Sequence, residues 1–197
     1  MKLFKQLRKF ILVVGMGSVS MGAYAIEGNA GLDLSLSNDA GNLGLYSLRE
    51  TPHELTNLGA DFLFNSKSDR FLDVYGSLAR KGLLGNKNLE LGLKGKLFYI
   101  DEDKNNLNGY GLMIGGLGRY WLPTEIPTAF AMEYLYAPSI VTSGDADTAS
   151  EFNARVEMRI LPSAVGYVGY RRLNVEFNKS NYDVDDSFHL GVRVAFQ

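Results

Sequence analysis

Apolar and polar residues alternate along most of this chain with a period of two. Leu32, Leu34 and Leu36 alternate with Asp33, Ser35 and Ser37, and Leu72, Val74 and Leu78 with Asp73, Tyr75 and Ser77. Leu89, Leu91, Leu93, Leu97 and Tyr99 oppose Glu90, Lys94 and Lys96, while Phe130, Met132, Tyr134 and Tyr136 oppose Glu133. Phe152, Ala154, Val156, Met158 and Ile160 oppose Asn153, Arg155, Glu157 and Arg159. Strand side chains point alternately to two faces, so each run predicts a two-faced β-strand. With Ala60–Phe64, weaker runs around Leu43–Leu48, Tyr110–Trp121 and Val165–Phe177, and the closing FHLGVRVAFQ, ten strands are predicted. In VGYVGYRRLNVEF no single register keeps both Arg171 and Arg172 off the apolar face, which predicts a bulge near that pair.

The first residues follow a different pattern. Lys2, Lys5, Arg8 and Lys9 precede the apolar stretch ILVVGMGSVSMG and then Ala23-Tyr24-Ala25. A basic start, a short apolar middle and a small-x-small end predict a signal peptide over 1–25, with the domain at 26–197. The apolar run is shorter than the roughly 18–20 residues a spanning helix needs. Removing it leaves 16 basic against 22 acidic residues, a net charge near −6. A mildly acidic chain lacks the basic face that nucleic acid requires, so no nucleic-acid partner is expected. The sequence contains no cysteine, so the fold must hold without disulfides.

The connections carry a second signal. The later ones alternate between acidic stretches and short Pro-containing ones, as in DEDKNNLN, LPTEIP, VTSGDADTASE, LPSA and NKSNYDVDD. Membrane barrels show short turns on one side, longer loops on the other and an even strand number. Aromatics sort towards strand ends in two groups, as two interfacial belts would. Phe64, Phe71, Tyr99, Tyr110, Tyr136, Phe152, Phe177 and Phe188 form one, and Tyr120, Trp121, Phe130, Tyr167 and Phe196 the other. Alternation alone does not choose the buried face. A soluble lipocalin-like barrel turns its apolar face inward, whereas a membrane barrel turns it towards lipid. Strand lengths of about 9–12 residues and the need to close the edge of the final strand favour lipid. The expectation is an all-β, up-and-down antiparallel transmembrane barrel of about ten strands in a Gram-negative outer membrane.

The stretches LTNLGADF, GYGLMIGGLGRYWLP, EYLYAPS and AVGYVGYRRLNVEF resemble the YfaZ family, small exported proteins regarded as outer-membrane barrels and candidate porins. The resemblance implies location and fold, and supplies no catalytic residues. His189, Gly191, Val194 and Phe196 resemble the recognition signal carried by the last strand of outer-membrane barrels, here followed by Gln197. That likeness implies the barrel assembly machinery, outer-membrane lipid and lipopolysaccharide as partners.

Alternation places seven acids, Asp33, Asp61, Asp73, Glu90, Glu133, Glu157 and Glu176, in the lumen with seven bases, Lys94, Lys96, Arg119, Arg155, Arg159, Arg172 and Arg193. Arg119, Glu133, Arg155, Glu157, Arg159 and Arg193 are the candidate constriction. Two readings stay open: a narrow porin for small polar solutes, and a salt-bridged, non-conducting barrel acting through acidic outer loops at 101–106, 143–151 and 178–186. Strand glycines such as Gly92, Gly111 and Gly115 are expected to serve curvature, and Gly109-x-Gly111 lacks the rest of a phosphate-binding fingerprint. Asp101-x-Asp103-x-Asn105 lacks the glycine and closing Glu of a calcium loop. His53-Glu54 has no second His four residues on, and Ser187 with His189 has no visible oxyanion hole. No enzyme activity, cofactor or metal is expected.

Overall fold

The computed structural model describes residues 29–177 and 180–196. The expected signal at 1–25, and Gln197, lie outside the described residues. The strands are β1 (Asn29–Ser37), β2 (Ala40–Glu50), β3 (Glu54–Asn65), β4 (Arg70–Lys81), β5 (Leu89–Glu102) and β6 (Leu107–Leu122). They continue as β7 (Thr128–Ala137), β8 (Thr142–Gly144), β9 (Ala146–Leu161), β10 (Ala164–Phe177) and β11 (Ser180–Ala195). Neighbours in sequence pair antiparallel, except that β7 pairs with β9 and the three-residue β8 lies against β6. Leu32 opposes Val194 and Leu36 opposes Leu190, so β1 joins β11 and the wall closes as a ten-stranded barrel. Closure removes the free edge that an open sheet would present. β1 begins and β11 ends at the same rim, called proximal here; the opposite rim is distal.

β7 illustrates why these residues make this wall. Ala129, Ala131, Glu133, Leu135 and Ala137 are buried, while Phe130, Met132, Tyr134 and Tyr136 between them are exposed. The other strands continue that outer apolar belt round the barrel through Leu34, Leu45, Leu72, Val74, Leu93, Leu97, Ile114, Val168 and Leu190. Leu97 is 61% exposed and Leu190 67%, against 8% for Glu133 and 3% for Lys96, so the apolar face points outward. A lipocalin-like core would have the opposite arrangement.

Two parts of the sequence expectation need correction. The stretch 101–106 keeps a turn at 103–106, but 143–151 is almost wholly strand and so is 180–186: Phe177 pairs with both Ala146 and Ser180. Antiparallel pairing carries on through these polar segments because every second residue, such as Val184, still packs inside. Most distal connections are consequently short, and only the one between β7 and β9, at 138–145, is longer than every proximal one. Aromatic depth was also read without regard to face. Phe71 and Phe177 are buried inside, and Trp121 and Tyr167 turn inward to hydrogen-bond Glu90 and Asp33.

The bulge expected near Arg171 and Arg172 falls two residues on. The register between β10 and β11 shifts between Leu173 and Asn174, opposite Val184, which leaves Val184 and Asp185 both buried. An extra residue on one strand is what sets successive side chains on one face. The bulge is on β11; on β10 the alternation runs unbroken and sets Arg171 inside and Arg172 outside.

Candidate functional site

The interior is built in layers, set by where along each strand the inward residues change from charged to apolar. On β5 the inward series runs Glu90, Lys94 and Lys96, then Phe98 and Ile100; on β10 it runs Arg171, then Leu173, Val175 and Phe177. The distal residues meet in one apolar cluster that includes Leu63, Phe71, Phe98, Ile100, Met113, Leu135, Leu173, Val175, Phe177 and Val184. The Phe71 and Phe98 rings stack at 5.4 Å and 7°. Ile100, Met113, Leu135 and Val175 have no exposed surface, so the cluster fills the bore as a plug. Above it Asn65 Nδ2 donates to Asp69 Oδ2 at 2.7 Å and to the Val184 carbonyl at 3.0 Å, and Tyr182 donates to Asp69.

Below the plug lies a cavity of about 130 Å³, running from Leu48, Leu55 and Ala79 near the proximal rim to Leu63, Phe71 and Leu173. Its wall holds a continuous ion-pair chain. Arg119 meets Glu90 at 3.2 Å and Glu157 at 3.0 Å; Arg155 meets Glu157 at 2.6 Å and Glu133 at 3.1 Å; Lys94 meets Glu133 at 2.8 Å. Arg193 meets Asp33 at 2.8 Å, and Arg171 meets Asp185 at 2.7 Å. Lys96, 4% exposed at its side chain, bridges Asp73 at 3.1 Å and Glu151 at 2.6 Å. Buried charges persist only when paired and hydrogen-bonded, and this arrangement satisfies almost all of them.

Three lumen tyrosines depend on glycines of the adjacent strand. Tyr46 lies over Gly31, Tyr75 over Gly59 and Tyr167 over Gly191, where a Cβ would stand 2.5, 2.5 and 2.4 Å from the ring Cζ atoms. Gly115 is there for a different close approach, since its Cβ would meet the Tyr134 carbonyl oxygen at 1.8 Å.

Of the six candidate constriction residues, Arg119, Glu133, Arg155 and Glu157 belong to the one chain, and Arg193 pairs separately with Asp33. Arg159 stands exposed at the mouth, its guanidinium 6.0 Å from the Trp121 ring centre. Arg172 and Glu176, expected inside, face outward: Arg172 reaches Asp183 at 3.5 Å and Glu176 accepts from Thr148 at 3.0 Å. Glu151, Arg171 and Asp185 were missed. Glu151 shares the parity of Asn153, so carrying the alternation one step further would have found it. The bulge on β11 concealed Asp185, and Arg171 was missed because its neighbour Arg172 was taken as the inward one.

The four residues of the expected recognition signal lie along the seam. His189 is buried in the lumen, Gly191 sits under Tyr167, Val194 pairs with Leu32 and Phe196 donates its N–H to the Ala30 carbonyl at 2.6 Å. The Ser187 hydroxyl donates to Asp185 rather than to His189.

With the barrel and its lumen described, comparison places the chain. The sequence model of the family described as "YfaZ precursor" matches residues 8–196. The chain belongs to the YfaZ family. This YfaZ-family chain matches no curated protein. Among solved structures it is similar to a "Bacterial polysaccharide outer membrane secretin", at 9% identity and a TM-score of 0.44 over 80% of this chain and 57% of that one. A second, titled "Unveiling the Mechanism Behind the in-meso Crystallization of Membrane Proteins", is 10% identical with a TM-score of 0.37, over 86% of this chain and 83% of that one.

Proposed function

We propose that this protein is an integral outer-membrane barrel that does not conduct, with a lumen closed at the distal rim and open as a charged blind pocket at the proximal rim. The apolar belt supports the membrane: left in water, a band encircling the barrel far exceeds the apolar patch a soluble monomer tolerates. Lipid tails cover that belt, lipopolysaccharide contacts the distal rim, and the proximal rim faces the periplasm. Insertion follows recognition of His189, Gly191, Val194 and Phe196 by the assembly machinery. The reading includes no catalytic step.

The plug is the observation that carries the closed lumen. An ion crossing it would leave the hydrated, charged wall for a zone lined by Phe71, Phe98, Ile100, Leu135 and Val175, with no side-chain partner there. Apolar constrictions close by dewetting even where some space remains. The competing reading, a narrow porin, draws on the charged cavity beneath and requires the plug to move aside. Planar-bilayer recording of the refolded protein decides between them. The wild type should give no reproducible steps, and Phe71→Ala with Phe98→Ala should create them. Steps from the wild type under conditions where a known porin conducts would overturn the closed reading. A detergent-independent monomer recovered from the periplasm would overturn the membrane itself.

A further inference from the structure

The lumen charges do not balance, and the imbalance is confined to one place. The chain from Glu90 to Lys94 contains three acids and three bases, and the Arg193–Asp33 and Arg171–Asp185 pairs are each neutral. Two carboxylates are left over at the blind end. Lys96 alone serves both Asp73 and Glu151, and Asp61 has no hydrogen bond or ion pair among the described residues. Asp61 and Asp73 are direct cross-strand partners, so the surplus charges stand side by side.

Six buried atoms on residues lining the same cavity make no hydrogen bond. Two are donors, Arg119 Nε and Arg171 Nη2, which already stand 3.0 and 2.7 Å from Glu157 and Asp185; the others are the acceptors Asp73 Oδ1, Asn153 Oδ1 and Asn57 Oδ1, with His189 Nδ1. Asp73 is 3% exposed, His189 3% and Asn153 7%. Leaving such acceptors empty is unfavourable, so the site calls for a donor. No three His, Cys, Asp or Glu side chains converge to cage a metal ion among the described residues. A small cation bearing several N–H donors would meet both the surplus carboxylates and the empty acceptors. The whole lumen cavity amounts to about 130 Å³, less than engineered cavities of roughly 150 Å³ that admit a six-membered ring, which bounds the ligand at about six heavy atoms.

We propose that the blind end of the lumen, between Asp61 and Asp73, binds a small primary alkylammonium ion of up to about six heavy atoms, one or two of them charged. Its ammonium donates to the free oxygen of Asp73, to Asp61 and to Asn153, and supplies the charge that Lys96 alone does not. The site rests on the blind-lumen reading only for its entry route from the proximal rim; binding itself can be measured whether or not the barrel conducts.

The test is calorimetric titration of the full refolded barrel in detergent with ethylammonium and 1,4-diaminobutane as probes. Tetramethylammonium, of like charge but with no N–H, and Ca²⁺ are run beside them. Saturable binding of a primary ammonium, with tetramethylammonium silent, is the expected result. Asp61→Asn should weaken it by about tenfold or more, the usual weight of one charge-assisted contact. Asp61 holds no partner, so that variant keeps every existing pair and should fold; Asp73→Asn is the second arm. No heat from either primary ammonium would overturn the proposal and leave ordered water on the acceptors. So would equal binding by Asp61→Asn, or Ca²⁺ binding that Asp61→Asn abolishes while the ammonium ions give none. Channel steps in the bilayer assay would sink the closed lumen without touching this result.

Discussion

Lys96→Met removes the cation on which two buried carboxylates depend. Its ammonium lies 3.1 Å from Asp73 and 2.6 Å from Glu151, and the three side chains are 3–7% exposed. Methionine restores most of the volume, so the loss is electrostatic. Truncating one partner of a buried pair costs roughly 3–5 kcal/mol because the other charge is left uncompensated. Here two acids are abandoned beside a third, Asp61, so the upper part of that range is expected, about 4–5 kcal/mol. The exposed pair Arg80–Glu54, with side chains 65% and 43% accessible, is the control, and Arg80→Met should change stability by less than about 1 kcal/mol. Equilibrium urea unfolding in detergent reads both. The single tryptophan, Trp121, is a native probe because its indole donates to Glu90 at 2.9 Å inside the barrel. Adding Asp73→Asn and Glu151→Gln to Lys96→Met should restore most of the loss, since neither carboxylate that Lys96 served is then left charged. A Lys96→Met protein within about 1 kcal/mol of wild type would refute the reasoning, showing that lumen water already solvates these carboxylates.

Asp61→Asn should raise the unfolding free energy by about 0.5–1 kcal/mol, because it removes a like charge directly opposite Asp73; a lower value would show that Asp61 stabilises the empty barrel. Gly191→Val should lower stability by about 1–3 kcal/mol or more, read by the same unfolding curve, since a Cβ there stands 2.4 Å from the Tyr167 ring and 2.6 Å from the Leu34 carbonyl oxygen. A neutral effect would mean that the ring moves freely. Phe196→Ala should impair outer-membrane insertion more than deletion of Gln197, measured by membrane fractionation; equal insertion of both would sink the recognition-signal reading.

Much of the wall was legible because the period-two pattern is uninterrupted where one face meets one medium. β7 and the middle of β9 alternate residue by residue, and there the inward Glu133, Arg155 and Glu157 were read correctly. Legibility failed where the pattern stops discriminating. Arg171 and Arg172 are chemically equivalent neighbours, and only continuity with the inward Leu173 and Val175 of β10 tells which of them turns inward. The acidic stretches were read as loops on their polarity. The structure keeps a turn at 103–106, while ladder pairing and inward residues such as Val184 hold 146–151 and 180–186 in the sheet.

The plug is the deeper case, because two of its residues, Phe71 and Phe177, were counted towards an interfacial belt and the rest were given no face. Parity beyond Lys96 gives Phe98 and Ile100, and parity beyond Arg171 gives Leu173, Val175 and Phe177. At those positions apolar residues occupy both faces, so hydropathy alone no longer distinguishes in from out; only continuity with the charged half of the same strand does. That continuity has a functional consequence. A bore that is charged along its whole length keeps ions hydrated from end to end, whereas this one changes to an apolar zone below a polar cap at Asn65, Asp69 and Tyr182. The ion pairs beneath the plug then act on a dead-end space rather than along a route. An unbalanced pair of carboxylates at the bottom of a dead end is the arrangement of a receptor for a cation, while a selective channel would set them at a constriction through which the ion could leave.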